Sequence, residues 1–246
     1  MKNNRLIKIY SYETKKISFF SKILKKEITK RNKKFNGNLS EIHKYINDNE
    51  INSLRLSAFN QINKKNWISK IKEIALTRLK ENLGTDLLIQ SKINLSIQMP
   101  NDESSILPAH SDSWSSDTPF QLNLWIPLTN TYHTNSMFVY SPNYSIKIFN
   151  KINQDRNTKI KKPNKKDFIK LKPGEFVLFN PACLHGNIKN TTKITRVSLN
   201  VRFKSIFSPE PNEYHRDRKF GTYYKIFNLS ENSKFAIKVI DTGMLG

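Results

Sequence analysis

The sequence predicts a mainly β fold, an antiparallel jelly roll with helices at its N-terminal end, and three features point to it. Apolar residues recur near every 3.6 positions in the first third, short apolar or alternating runs take over after Gly84, and prolines stand where those runs end. Phe19, Phe20, Ile23, Leu24 and Ile28 fall on one face of a first helix, and Ile68, Ile71, Ile74, Ala75 and Leu79 on one face of a second. Asn66 and Ser69 suit the start of the second, and Asn82-Leu83-Gly84 its end, because glycine tolerates the left-handed conformation that stops helices. Asn36-Gly37-Asn38 and Asn47 to Asn49 read as turns between them. Residues 1–84 are thus a helical N-terminal extension.

The β runs lie at 87–90, 93–99, 120–128, 136–140, 168–171, 175–179 and 196–203, closed by turns bearing Pro100, Pro127, Pro142, Pro173 and Pro181. Proline-bearing turns of this kind suit an antiparallel jelly roll and do not suit a parallel sheet with helical crossovers. Residues 85–205 form the core. Within it, the lysine-rich stretch 145–166 shows no clear periodicity and reads as an insertion loop between strands. Residues 206–246 are a polar C-terminal segment without a clear pattern, and with no repeat or linker the whole of 1–246 reads as a single domain.

Composition narrows the function classes. A chain of 246 residues with 37% hydrophobic content can bury one sizeable core. The single cysteine, Cys183, excludes a disulfide framework and a cysteine-built zinc cage, which fits a reducing cytoplasm. The apolar run at Leu6, Ile7, Ile9 and Tyr10 is broken by lysine, and nowhere are there the roughly 18 consecutive apolar residues of a spanning helix, so neither a secretory signal nor membrane insertion is expected. The net charge of +22 would ordinarily raise nucleic acid as a partner. Lysine is abundant together with asparagine and isoleucine, as an AT-rich genome produces, and the chain carries no recognisable nucleic-acid reading module, so no nucleic-acid partner is expected. The two lysine concentrations, 15–34 and 159–172, read as solvated faces or as a docking surface for an acidic substrate.

The chemistry lies in three short elements. In Leu107-Pro108-Ala109-His110-Ser111-Asp112, an imidazole and a carboxylate stand two residues apart; on an extended chain they project to one side, about 6–7 Å apart, and can converge on one ion. In Phe179-Asn180-Pro181-Ala182-Cys183-Leu184-His185-Gly186, a strand runs through a turn into a second histidine. Two imidazoles and one carboxylate on one face of a metal leave positions open for oxygen chemistry. In Thr195-Arg196-Val197-Ser198, eleven residues beyond His185, a guanidinium and a hydroxyl share a strand face and could clamp a carboxylate bidentately; Arg202, on the same alternating face, is the rival. Gln98, Asn123 and Trp125 occupy strand positions where a polar or aromatic group facing a barrel interior meets a ligand or a network. Cys183 reads as a small packed residue and not as a fourth ligand.

Taken together, His110-x-Asp112, His185 and Arg196-x-Ser198 resemble the iron(II)/2-oxoglutarate-dependent oxygenase superfamily, in its phytanoyl-CoA-hydroxylase-like branch. The run from Gln98 to Asp112, with Pro119-Phe120-Gln121 and Asn135-Ser136-Met137, is similar to the oxygenases of sporadic carbohydrate-synthesis gene clusters, which are related to a streptomycin-biosynthesis oxygenase. The resemblance covers about residues 90–205. It implies a cupin-like double-stranded β-helix in which His110, Asp112 and His185 hold Fe(II). It also implies that 2-oxoglutarate and O2 are cosubstrates, that Arg196 with Ser198 binds the 5-carboxylate, and that Asn123 and Gln98 lie near the cosubstrate. It implies hydroxylation of a small molecule, with an anionic or nucleotide-linked sugar as candidate substrate in carbohydrate biosynthesis. Because Asp112 is present, the hydroxylating branch fits better than the halogenases, which lack that carboxylate, and oxidative epimerisation or desaturation would use the same residues. Two other readings remain at this stage: a cupin-like metal-dependent sugar isomerase or epimerase, and a noncatalytic basic module that binds polyanions.

Overall fold

In a computed structural model, residues 6–115, 117–209, 218 and 220–241 are described. The chain begins with strand β1 (Ile7–Ser11) and continues through α1 (Ser18–Arg31), α2 (Asp48–Asn63) and α3 (Trp67–Leu83). Two of these helices follow the periodicity in the sequence. Helix α1 buries Phe20, Leu24 and Ile28, while α3 starts where the Asn66 side chain accepts the Ser69 N–H at 3.3 Å and stops at Gly84, whose φ is 87°.

Two features of the first 84 residues differ from the expected helical extension. Asn47 to Asn49 is the start of α2, not merely a turn: Glu50 reaches back to accept the Asn47 N–H at 3.4 Å, and Ile51, Leu54, Ala58 and Ile62 follow at helical spacing. The short apolar run near the N-terminus is β1, which pairs antiparallel with β6 (Glu175–Phe179) from Ile7 opposite Phe179 to Ser11 opposite Glu175. Its own residues cannot reveal this, because the partner lies far along the chain.

The remaining strands are β2 (Leu87–Gln90), β3 (Asn94–Gln98), β4 (Gln121–Pro127), β5 (Phe138–Val139), β7 (His185–Gly186), β8 (Arg196–Ser205) and β9 (Tyr224–Asn228). Seven of the described strands form an antiparallel sheet in the order β1-β6-β4-β8-β2-β9, with β3 also paired to β8. The second sheet is the β5–β7 pair, extended by isolated bridges from His110 to His185 and from Phe138 to Phe168. The expected strand at 168–171 is therefore a segment tied by single bridges, at Phe168 and at Leu171 with Thr131.

The two faces of the large sheet divide the molecule. Along β8, Val197, Leu199, Val201 and Phe203 point to a core shared with Leu95, Ile97, Leu124, Leu178 and the buried faces of α1, α2 and α3. Each such side chain removed from water contributes roughly 1.5–3 kcal/mol. The alternate residues are polar, and pairing sets them in rows on the opposite face: Gln98 with Arg196, Ser96 with Ser198, and Asn94 with Asn200. This polar face looks towards the small sheet, and the space between the sheets holds the cavity.

Two further expectations are corrected. The first half of the 145–166 stretch is no loop but part of α4 (Pro142–Gln154), capped by the Ser141 hydroxyl accepting the Tyr144 N–H at 3.3 Å. The C-terminal segment also holds regular structure, since β9 adds to β2 and α5 (Glu231–Asp241) follows. Within that segment, 210–217, 219 and 242–246 lie outside the described residues.

Candidate metal centre

Backbone pairing brings the two histidines together. His110 and His185 exchange N–H to O hydrogen bonds of 2.9 Å in each direction, one rung of an antiparallel ladder. The chain does not stay extended to Asp112, as the two-residue spacing suggested. It turns there into a 3₁₀ segment, Asp112–Ser115, with the Asp112 N–H donating to Pro181 O at 3.0 Å. Convergence is still achieved: Asp112 Oδ1 lies 3.4 Å from His110 Nε2 and 3.6 Å from His185 Nε2, and the three candidate ligand atoms are all within 4.8 Å of one another.

The orientation of the three side chains suits a cation. His110 Nδ1 donates to Pro108 O and His185 Nδ1 to Cys183 O, each at 2.8 Å, which turns both Nε2 atoms inward. Burial pushes His185 down to about 4, so it is neutral at physiological pH. At His110 burial pulls the same way, but the hydrogen bond to Asp112 outweighs it and the imidazole is held above its ordinary value. Burial likewise opposes ionisation of Asp112, yet the hydrogen bond from His110 and the charge of Arg202 hold its carboxyl well below the usual range. Asp112 is an anion here.

Gly186 follows His185 for a steric reason. A Cβ there would sit 2.5 Å from Leu107 O and 2.9 Å from both Pro108 O and the Phe138 ring. Gly186→Ala is therefore expected to push the 107–110 segment off β7 and carry His110 with it. Metal titration should show affinity lower by about tenfold or more, the usual cost of disturbing groups that orient ligands.

The triad lines a cavity of about 290 Å³ together with Trp125, Arg196, Ser198, Asn200 and Arg202. The two arginines, equivalent by alternation, differ in their partners. Arg202 is ion-paired to Asp112 at 3.0 Å and to Asp117 at 3.2 Å. Arg196 is buried, its Nη2 donates to Ser96 Oγ at 3.1 Å, its Nε has no partner, and among the described residues no carboxylate lies within ion-pair distance of it. Burial pushes it down to about 10, so it is still charged at neutral pH. Ser198 Oγ and Asn200 Oδ1 are likewise buried without partners. A buried lone cation among unsatisfied polar atoms fits an anionic ligand that completes the set.

The other expected residues are placed differently. Asn123 Nδ2 donates to Asp112 Oδ2 at 2.8 Å, so this side chain orients the carboxylate. Gln98 lies in the row of Arg196 but donates to Ile188 O at 2.7 Å, and neither Gln98 nor Asn123 is among the residues lining the cavity. Trp125 does line it. Cys183 packs among Trp125, Met137 and Phe179, with burial pushing its thiol up to about 11, an inert packed residue. Sequence reasoning missed two contributors: Asp117, whose pairing with Arg202 has no local signature, and Asn187, which holds the 105–107 segment by accepting the Leu107 N–H and donating to Ser105 O at 3.0 Å.

Two imidazoles and one carboxylate suit a divalent metal with positions left open, and Arg196 with its unpartnered neighbours suits a carboxylate-bearing ligand beside it. The phytanoyl-CoA dioxygenase (PhyH) family matches residues 12–198. The streptomycin biosynthesis protein StrG of Streptomyces griseus is 28% identical over 123 residues, a match spanning 50% of this chain and about half, 47%, of StrG. HygX from Streptomyces hygroscopicus, solved with nickel and 2-oxoglutarate bound, is similar with a TM-score of 0.52 at 12% identity, over 90% of this chain and 93% of HygX. EctD from S. alaskensis, solved with 2-oxoglutarate and 5-hydroxyectoine, gives a TM-score of 0.52 at 14% identity over 82% and 72% of the two chains. The non-heme monooxygenase ThoJ in its apo form gives 0.52 at 15% over 92% and 82%. At such identities the likeness is one of fold, and that fold is the expected double-stranded β-helix. By the extent of the family match, the chain belongs to the phytanoyl-CoA dioxygenase (PhyH) family, within the iron(II)/2-oxoglutarate oxygenase superfamily.

Proposed function

We propose that this protein is an iron(II)- and 2-oxoglutarate-dependent dioxygenase that hydroxylates a sugar or related small molecule in carbohydrate or surface-polysaccharide biosynthesis. The observation that carries the reading is a single cavity with His110, Asp112 and His185 on its wall and, beside them, the buried Arg196, with no carboxylate in ion-pair distance among the described residues. His110, Asp112 and His185 hold the metal; Arg196, with Ser198, receives the distal carboxylate of 2-oxoglutarate. When bound, iron(II) with 2-oxoglutarate and O2 supplies the oxidising power, the cosubstrate leaving as succinate and carbon dioxide. The chain itself orients and shields. Asn123 fixes Asp112, the carbonyls of Pro108 and Cys183 fix the histidine tautomers, and Trp125, Met137 and Phe179 give the cavity an apolar side. A sugar isomerase would not need Arg196, whose lone buried charge would then be an unrelieved cost. A polyanion-binding module would not need the buried triad.

The carbohydrate assignment is supported by the similarity to StrG, whose name places it in streptomycin biosynthesis. An anionic or nucleotide-linked sugar is supported by the lysines at 159–166. Ile160 and Phe168, on either side of Lys161, Lys162, Lys165 and Lys166, pack against the cluster of Phe138, Tyr140 and Leu184, and so hold this stretch against the small sheet. We place the activity in a single cytoplasmic domain; among the described residues no helix is long and apolar enough to cross a membrane. Screening sugar nucleotides and phosphorylated sugars for stimulated succinate formation tests the reading. Replacing the four lysines by glutamine should raise the apparent KM for the stimulating sugar about tenfold while kcat changes little. An unchanged KM would remove the anionic substrate.

A further inference from the structure

The metal carboxylate is held from behind, by a network that reaches the C-terminal part of the chain. Asp112 Oδ2 accepts three hydrogen bonds: from Asn123 Nδ2 at 2.8 Å, from Arg202 Nη2 at 3.0 Å and from Arg202 Nε at 3.3 Å. Oδ1, in contrast, faces the two Nε2 atoms. The guanidinium of Arg202 is itself committed on every side. Its Nε lies 3.2 Å from Asp117 Oδ2, while Nη1 donates to Tyr223 Oη at 3.1 Å and to Gln90 Oε1 at 3.4 Å. Asp117 is almost fully buried and also pairs with Arg218, whose guanidinium stacks 5.5 Å from the Tyr223 ring.

We infer that Arg202 is a positioning residue that, braced by Asp117 and Tyr223, fills the acceptor capacity of Asp112 Oδ2 so that only Oδ1 is offered to the metal. Arg218 and Tyr223 are thereby tied to the metal site. An arginine suits this task because its planar fork aims Nε and Nη2 at one carboxylate oxygen while Nη1 reaches Tyr223 and Gln90, which a lysine cannot do. The consequence is an open position: a carboxylate free to swing would chelate through both oxygens and occupy a site that the keto acid needs. The inference rests on the proposed metal role of the triad.

The test uses the full-length protein and its Arg202→Gln, Arg202→Lys, Asp117→Asn and Tyr223→Phe variants. Co(II)-loaded minus metal-free infrared spectra report the separation of the two carboxylate stretches, and anaerobic titration reports 2-oxoglutarate affinity. Wild type should show the wide separation of a one-oxygen ligand. In Arg202→Gln the stretches should draw together and 2-oxoglutarate affinity fall tenfold or more. Arg202→Lys should fall between, and Asp117→Asn and Tyr223→Phe should shift the same way by less; these two carry the test should Arg202→Gln fail to fold. Wild-type spectra and affinity in all folded variants overturn the positioning role alone, whereas wild-type protein that binds no Co(II) overturns the metal reading and this inference with it.

Discussion

Replacing Arg196 by methionine is expected to stabilise the ligand-free protein while destroying its affinity for 2-oxoglutarate. The two effects have one cause. Arg196 is buried with no carboxylate within ion-pair distance among the described residues, and its Nε is unpartnered, so in the empty cavity it is a desolvated charge. Exchanging buried ionic groups for apolar ones of similar volume is often stabilising, by about 1–4 kcal/mol. For a chain of this size each kcal/mol moves the thermal midpoint by roughly 2–4 °C, so a rise of a few degrees is expected. When a carboxylate is bound, the balance reverses. Truncating one partner of a buried, hydrogen-bonded charge pair costs about 2–5 kcal/mol, a fall in affinity of roughly thirtyfold or more. Melting curves with and without 2-oxoglutarate, in Mn(II), read both quantities. Affinity that survives in Arg196→Met would move the carboxylate clamp elsewhere.

Asp112→Ala and His185→Ala should both abolish tight metal binding but differ in stability. Removing Asp112 takes from Arg202 the carboxylate that meets it at 3.0 Å and leaves a buried guanidinium sharing only Asp117. Breaking such a pair costs about 3–5 kcal/mol, and with Asp117 still present the lower end is expected, near 3 kcal/mol or roughly 6–12 °C. His185→Ala removes a neutral imidazole with a single hydrogen bond to Cys183 O, a smaller loss. Calorimetry on the metal-free variants separates them. Equal melting points would mean that the Asp112–Arg202 pair contributes little to the fold.

What the sequence disclosed and what it concealed follow one physical division. Strand β8 was legible because its alternation is strict: Val197, Leu199, Val201 and Phe203 face the helices, and Arg196, Ser198, Asn200 and Arg202 face the cavity. The triad was legible because few residue types bind metals and all three stood at plausible spacing. Relations set by the fold were not legible. The roles of Arg196 and Arg202 separate only through Asp117 and Asp112, about ninety residues away in the chain, and β1 becomes a strand only through β6. Helices α2 and α4 were hidden differently. Their apolar stripes, Ile51-Leu54-Ala58-Ile62 and Tyr144-Ile148-Ile152, are present but diluted by asparagine and lysine, which serve equally well in turns and on exposed helix faces.

That one cavity takes a divalent metal and a keto acid together is tested most directly by anaerobic absorption spectroscopy. Iron(II) and 2-oxoglutarate added to the wild-type protein should give the weak visible charge-transfer band of the chelate, absent in His185→Ala and strongly reduced at equal cosubstrate in Arg196→Met. Wild-type protein that shows no such band, and turns over no 2-oxoglutarate to succinate when oxygen is admitted, would contradict it.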